Sequence, residues 1–353
     1  MSYFRKNIEA MTAYTPGEQP QGDAAVTKLN TNENPYPPSP RILAALRTLD
    51  PERLRKYPDP MADRVRDLVA RRFDVRRRQV LCANGSDELL RMAVTAFVGE
   101  GDAIAYPVPT YSLYPVLAAV QGARTIEVAS PDGFSLPADA LAEAKARLLF
   151  LCNPNAPTGV WTEPPDIARL ADRFKGVVVV DEAYADFGPG SGIPVLKAKP
   201  NVLVLRSLSK SYSLAGLRFG FAVGPEPLIA GLAKVKDSYN CDAVSIELAA
   251  AALEDEAAMR ANVEKVRAER ERLASRLAAM GFSVTPSEAN FLLARVPGGD
   301  AEGCYEDLKA RGILIRYWKG PRLADKLRIT VGTPEENDRL LAALEACRKE
   351  NRA

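Results

Sequence analysis

Lys210 and Arg218 stand eight residues apart in "SLSKSYSLAGLRFG", residues 207–220, among the hydroxyls of Ser207, Ser209, Ser211 and Ser213. A guanidinium is a planar fork suited to phosphate, and a lysine can condense with an aldehyde. A lysine beside a phosphate-binding group is what a Schiff-base cofactor with a phosphate handle requires. The chain contains no histidine. That removes Ser-His-Asp and Cys-His catalysis, histidine-ligated zinc and imidazole proton transfer, so any base must be Lys, Asp, Glu, Tyr or Cys. Taken alone, Lys210 reads first as a solvated lysine in a strand-to-helix loop, and it is its company that changes the reading.

Other stretches add groups of complementary chemistry. In "ANGSDELL", residues 83–90, Gly85 allows a tight turn and Ser86 or Asp87 can open a helix whose free N–H groups and positive dipole end suit an anion. The same letters also spell an ordinary helix cap. In "VVVVDEAYADF", residues 177–187, an acidic pair follows an apolar run. A carboxylate there is costly unless paired, so Asp181 is either a cap or salt-bridge partner, or the counter-ion of a cationic ring nitrogen. Tyr184 could then donate to a phenolate oxygen on that ring. Tyr111, opening a helix in "VPTYSLY", either packs or stacks on a flat ligand. "CNPNAPTGV", residues 152–160, reads as a turn-rich loop.

The elements that must position these groups are legible from periodicity. Seven short apolar runs, at 80, 103, 125, 148, 177, 202 and 219, alternate with helical segments such as "DELLRMAVTAFVG" and "PPDIARLADRFKG". This pattern predicts an α/β unit with a mostly parallel seven-stranded sheet buried on both faces. Near residue 245 the pattern changes to long helices, with Val263, Val266, Leu273 and Leu277 on one stripe, followed by "FSVT", "NFLLARV", "ILIRYW" and "LRITVG" as strands around a helix from Ala301 to Arg311. The expected division is a Pro- and Asn-rich N-terminal segment over 1–40 that packs on the small domain or a partner, a large domain over 41–245 and a small α+β domain over 246–353. A net charge of +2 gives no footprint for nucleic acid or an anionic membrane, and nothing approaches a membrane span. Five scattered cysteines suggest neither disulfides nor a metal cage, and a cytoplasmic protein is expected.

Together, "LNTNENPYPPSP", "YPDP", "GSDE", "NPNAPTG", "DEAY", "SLSKSYSLAGLRFG", "GILIRYW" and "LRITVGT", in this order along the whole chain, resemble fold-type-I pyridoxal phosphate enzymes and, within them, the histidinol-phosphate aminotransferases. The resemblance implies that Lys210 joins the cofactor aldehyde and later moves the proton at the substrate Cα, that Asp181 pairs with the pyridine nitrogen, that Tyr184 meets its O3′ and that Tyr111 stacks on the ring. It assigns the phosphate to Gly85, Ser86, Asp87, Ser207, Ser209 and Arg218, with Tyr57 reaching it from the partner subunit of a homodimer. On the substrate side it implies Arg328 for a carboxylate, Arg316 for the second anionic end, and Tyr14, Asn32 and Asn34 from the N-terminal segment. The implied reaction is amino transfer between L-histidinol phosphate and 2-oxoglutarate, in histidine biosynthesis, without a metal.

One position departs from the family pattern. Where Asn-Pro-Asn-Asn-Pro-Thr-Gly is usual, Ala156 replaces the amide that donates to O3′. Asn155 is the remaining candidate, although an amide one residue earlier should point elsewhere. A lost charge-assisted bond is worth on the order of 1.5–3 kcal/mol. The rival readings are an aminotransferase for aromatic amino acids or aspartate, a lyase of the threonine-phosphate decarboxylase type, and a non-catalytic protein that keeps the fold.

Overall fold

The structure is a computed structural model that describes residues 2–20 and 26–350, with the side chains of 348–350 left aside. All seven expected strands form one sheet. From edge to edge it runs Val80–Ala83, Gly220–Val223, Val202–Ser207, Val177–Asp181, Leu148–Cys152, Ala103–Val108 and Arg124–Ala129. Neighbours are parallel except around Gly220–Val223, which is antiparallel to both strands beside it. Strands Leu148–Cys152 and Val202–Ser207 are buried along their whole length, and Val177–Asp181 is buried from its second residue, as the unbroken apolar runs require.

Helices Ser86–Phe97, Leu113–Gln121 and Pro164–Arg173 return the chain between strands. The second ends on Gly122 in the left-handed region, as its sequence suggests, while the third stops at Phe174, two residues before Gly176. Because parallel strands all point the same way, Asp181, Ser207 and the loops after Ala83 and Val108 emerge on one edge of the sheet. That edge is where open α/β sheets bind ligands.

A second, antiparallel sheet runs Arg316–Tyr317, Lys326–Thr330, Phe291–Arg295 and Ser283–Val284. The stretch "ILIRYW" is not one strand. Ile313–Leu314 pairs in parallel with Thr27–Lys28, and the chain then shifts at Ile315 so that Arg316–Tyr317 joins the antiparallel sheet. Near the expected boundary at 245 the two apolar cores share helices. Helix Ala243–Leu253 and the first half of helix Glu256–Ala279, through Val266, belong to the apolar core of the large sheet, whereas Leu273 and Leu277 belong to that of the small one. One amphipathic helix thus spans both cores, and composition alone cannot show where it changes neighbours.

The N-terminal segment touches both units. Leu29 is buried in the small core, while Asn7 donates to the Ala119 carbonyl at 2.8 Å and Arg5 to that of Val120 at 3.0 Å on the large one.

Candidate active site

The C-terminal strand edge, the small sheet and the N-terminal segment enclose a cavity of about 470 Å³. Lys210, Asp181, Tyr184, Tyr111, Ser86, Asp87, Ser207, Ser209, Arg218, Tyr14, Asn32, Arg316 and Arg328 all line it. Residues spread over more than 300 positions converge there because strand ends of the large sheet, two strands of the small sheet and one draped segment meet at the cavity.

On the large-domain side, Gly85 precedes helix Ser86–Phe97 with φ +86° and no side chain caps the helix. A Cβ on Gly85 would stand 2.9 Å from Arg218 Nη2. Gly220 has the same reason to lack a side chain, since its Cβ would meet the Gly85 carbonyl carbon and the Ser86 nitrogen, each at 2.9 Å. The two glycines let the turn, the uncapped helix end and Arg218 approach one another. Arg218 donates to Ser209 Oγ and to the Ala215 carbonyl, each at 3.2 Å, and lies 3.4 Å from Asp87 Oδ2. Ser207 Oγ accepts from the Ser209 amide. The cluster is a pocket of donors that suits a phosphate.

Asp181 ends its strand fully buried. Its carboxylate accepts from the Ala183 amide at 3.2 Å and the Tyr114 hydroxyl at 3.5 Å, and no cation pairs with it among the described residues. Burial first, and then the charge of Asp87, pushes its pKa up to about 7. Lys210 donates to the Thr31 carbonyl at 3.0 Å and has no carboxylate partner among the described residues. Burial first, and then the Arg328 guanidinium, pushes it down to about 8. Its carbonyl is held by the Asn34 amide at 3.1 Å.

The Asn32 amide donates to Tyr184 Oη at 3.1 Å, so the Tyr184 hydroxyl proton is left to point elsewhere. Tyr111 donates to Asp87 Oδ1 at 3.2 Å and meets Tyr114 and Tyr14 edge-on. Arg316 and Arg328 face each other across the strand pair. The first donates to the carbonyls of Thr15 and Pro16, and the second to that of Asn30 at 2.7 Å. Arg328 Nε is buried without a partner among the described residues.

Four expected residues do not line this cavity: Gly85 makes the turn beside Arg218, Asn34 holds the Lys210 carbonyl, and Asn155 and Tyr57 lie away from it. The Asn155 side chain is turned away and saturated: it donates to the Pro109 carbonyl at 3.0 Å and Thr158 Oγ1 at 2.9 Å, and accepts from Thr110 at 2.7 Å. It holds the loop, while Ala156 is the residue that faces the cavity. Tyr57 is 81% exposed and stacks on Tyr239 at 4.4 Å, outside the cavity of its own chain. Conversely, Thr31, Tyr114 and Trp318 belong to the site or its support and were not singled out from the sequence. Thr31 acts through a carbonyl, which no letter encodes, whereas Trp318 could have been found from its alternation with Arg316. Among the described residues no cluster of Cys, Asp and Glu could hold a metal, and no helix is long and apolar enough to cross a membrane.

Residues 24–344 match the family model for aminotransferase class I and II. The chain is 48% identical to histidinol-phosphate aminotransferase 1 of Nostoc sp., over 97% of each. It is 42% identical to the histidinol-phosphate aminotransferase of Syntrophotalea carbinolica, over 98% of this chain and 99% of that one. Among solved structures it resembles the histidinol-phosphate aminotransferase of Sinorhizobium meliloti in complex with pyridoxal-5′-phosphate, with a TM-score of 0.88 and 25% identity over 98% of this chain and 97% of that one.

Proposed function

Since the chain belongs to the class I and II aminotransferase family, we propose that it transfers the amino group of L-histidinol phosphate to 2-oxoglutarate, using pyridoxal phosphate. The observation that carries the reading is the pair of buried, oppositely charged groups in one cavity, Lys210 and Asp181, neither with a countercharge of its own among the described residues.

The residues fit pyridoxal phosphate. Asp181 is a buried carboxylate that lacks a cation, which a protonated ring nitrogen supplies. The side-chain-free approach at Gly85 and Gly220 leaves room for a phosphate among Ser86, Ser209 and Arg218. When bound, the cofactor contributes an aldehyde that takes the amine and a ring that accepts the electrons of the substrate C–H bond.

The remaining work falls to the chain. Lys210, with its pKa brought to about 8, can be a free base near neutral pH, and it would take the proton from the substrate Cα and deliver it to C4′, the carbon that carried the cofactor's aldehyde. Asp181 holds its proton-bearing partner in a dry setting. Tyr184, with its oxygen already receiving the Asn32 amide, donates its own proton to the ring oxygen. Tyr111 covers the ring face. Arg328, with Nε unspent, takes the carboxylate shared by glutamate and 2-oxoglutarate, and Arg316 takes the distal carboxylate or the phosphate of L-histidinol phosphate. The exposed Tyr57 reaches the phosphate of the neighbouring subunit in a homodimer, and the reaction runs in the cytoplasm, which suits the buried thiols of Cys82, Cys152 and Cys241.

Lys210→Ala tests the assignment. Turnover is expected to fall at least a thousandfold while the far-UV spectrum is kept, and borohydride reduction should attach the cofactor to the peptide carrying Lys210 in the wild type alone. A near-normal rate in the variant overturns the role. The substrate is tested by kcat/KM for L-histidinol phosphate against phenylalanine, tyrosine and aspartate, with L-histidinol phosphate expected to lead by at least tenfold.

A further inference from the structure

Arg316 and Arg328 form an arrangement that a sheet ordinarily avoids. They are directly opposed on neighbouring antiparallel strands, where like charges repel. Neither has an ion pair among the described residues. Their hydrogen bonds go to the carbonyls of Thr15, Pro16 and Asn30, which satisfy donors without cancelling charge. Burial and the neighbouring Arg316 hold Arg328 below its ordinary pKa, as expected of two cations crowded together.

One side chain touches both. The guanidinium carbon of Arg316 lies 5.4 Å from the centroid of the Trp318 ring, and that of Arg328 lies 5.2 Å from it. Trp318 lines the same cavity. Its position follows from the strand period, because residue 318 leaves the strand on the same side as residue 316. An indole face is electron-rich and attracts cations, and of the aromatic rings it does so most strongly. Within reach of both guanidiniums, it draws each toward the ring and limits their separation without neutralising either. The carbonyls alone do not do this, since each of them meets only one of the two arginines, whereas Trp318 meets both.

We infer that Trp318 is a specificity-determining residue: by holding Arg316 and Arg328 as a fixed pair of unneutralised cations, it selects amines that carry a second anionic group over amines that do not. The inference rests on the functional reading above, in which these arginines take the two ends of the substrate. A smaller apolar residue at 318 lets the two cations part, and a substrate with two anions then loses the preset spacing, whereas an amine with a plain side chain loses little.

The test compares the wild type with Trp318→Leu and Trp318→Phe. In Trp318→Leu the ratio of kcat/KM for L-glutamate over L-phenylalanine is expected to fall at least tenfold, through KM for glutamate rather than kcat. Trp318→Phe, which keeps a ring, should restore the ratio to within about threefold of wild type. A second readout needs no turnover: the Kd of glutarate, measured by calorimetry, should rise at least tenfold in Trp318→Leu. An unchanged ratio, an equal loss for both amines, a glutarate affinity indifferent to residue 318, or a wild type that binds no glutarate overturns the inference. If L-histidinol phosphate is not a substrate while glutarate binding still depends on Trp318, the substrate reading fails and this one stands.

Discussion

The two walls of the cavity handle charge in opposite ways. Under the large-domain wall, Arg206 lies buried between Glu182, at 3.1 Å, and Asp186. Asp186 also accepts from Ser211, the neighbour of Lys210, at 2.6 Å and has Arg72 at 3.7 Å, while Glu182 takes Ser191 at 2.5 Å and the Gly192 amide at 2.6 Å. Every charge of this supporting network has an opposite beside it, unlike Lys210 and Asp181 on the wall itself. On the facing wall, Arg316 and Arg328 stand opposed with carbonyls and an indole for company and no acid among the described residues. A neutral network suits a scaffold that must hold Lys210 and Asp181 still through both halves of a reaction. An uncancelled pair suits a surface whose countercharges arrive and leave with each substrate.

The sharpest way to break this contrast is to remove one arginine from each wall. Arg206→Met leaves Glu182 and Asp186 buried without their shared cation, and a broken buried pair costs about 3–5 kcal/mol. Arg328→Met removes a repelling neighbour, so its effect on stability should stay within about 1 kcal/mol, with the damage appearing in substrate KM. Urea unfolding of both variants measures the difference. Equal losses of stability would erase the distinction between the walls.

The next effect is smaller and depends on pH. Asp181 is a buried acid of the large-domain wall with no cation beside it among the described residues, and its folded pKa is raised from 3.8 to about 7. The cofactor-free folded state therefore holds a proton that the unfolded state has already released between these values. The stability this contributes is present at low pH and is lost as pH rises through about 7. Asp181→Asn, which cannot ionise, should gain about 2–3 kcal/mol on the cofactor-free wild type between pH 5 and pH 8.5. Thermal unfolding at the two pH values checks this. A constant difference would mean that Asp181 has found a partner charge.

How far the sequence carried the reading follows the same division. The large-domain wall was legible because strand periodicity and turn letters put Asp181, Ser207, Lys210 and the Gly85 turn at strand ends, where a parallel sheet gathers them. The Arg206 network was not, since a buried arginine in "VLVLRS" looks like the end of an exposed strand until Glu182 and Asp186 are seen to flank it. On the substrate wall Arg316 and Arg328 came from resemblance, while their cross-strand pairing depends on a register that no local pattern sets. Asn155 shows the limit at a single residue. In a loop, letter order does not decide which of two neighbouring side chains faces inward, and here Thr110, Thr158 and the Pro109 carbonyl claim the amide.

Ala156, the inward-facing neighbour, gives a third prediction, of about 1.5 kcal/mol. Its side chain lines the cavity and donates nothing. Ala156→Asn places an amide donor beside a site whose other oxygen-facing donor is Tyr184, and one hydrogen bond to a charged group is worth about 1.5 kcal/mol or more. Cofactor retention in equilibrium dialysis should improve roughly tenfold. No gain would mean that Tyr184 with Asn32 already satisfies that part of the large-domain wall.

The smallest effect lies in the loop that links the two charged ends of the cofactor site. Ser213 sits at φ +59°, in the left-handed region, and its hydroxyl is buried with no partner among the described residues. Both features cost energy: a Cβ is strained there, and a buried hydroxyl without a bond has lost its water. The proposed function still requires the turn, because in it Lys210 and Arg218 face different parts of one ligand and the chain must reverse between them. Glycine makes the same turn without either cost, although it is freer in the unfolded chain, which offsets part of the gain. Ser213→Gly should therefore stabilise the protein by about 1 kcal/mol in urea unfolding and leave kcat/KM within twofold. A loss of stability would mean that the hydroxyl has a bonding partner once the ligand is in place, and would move Ser213 from the turn into the binding wall.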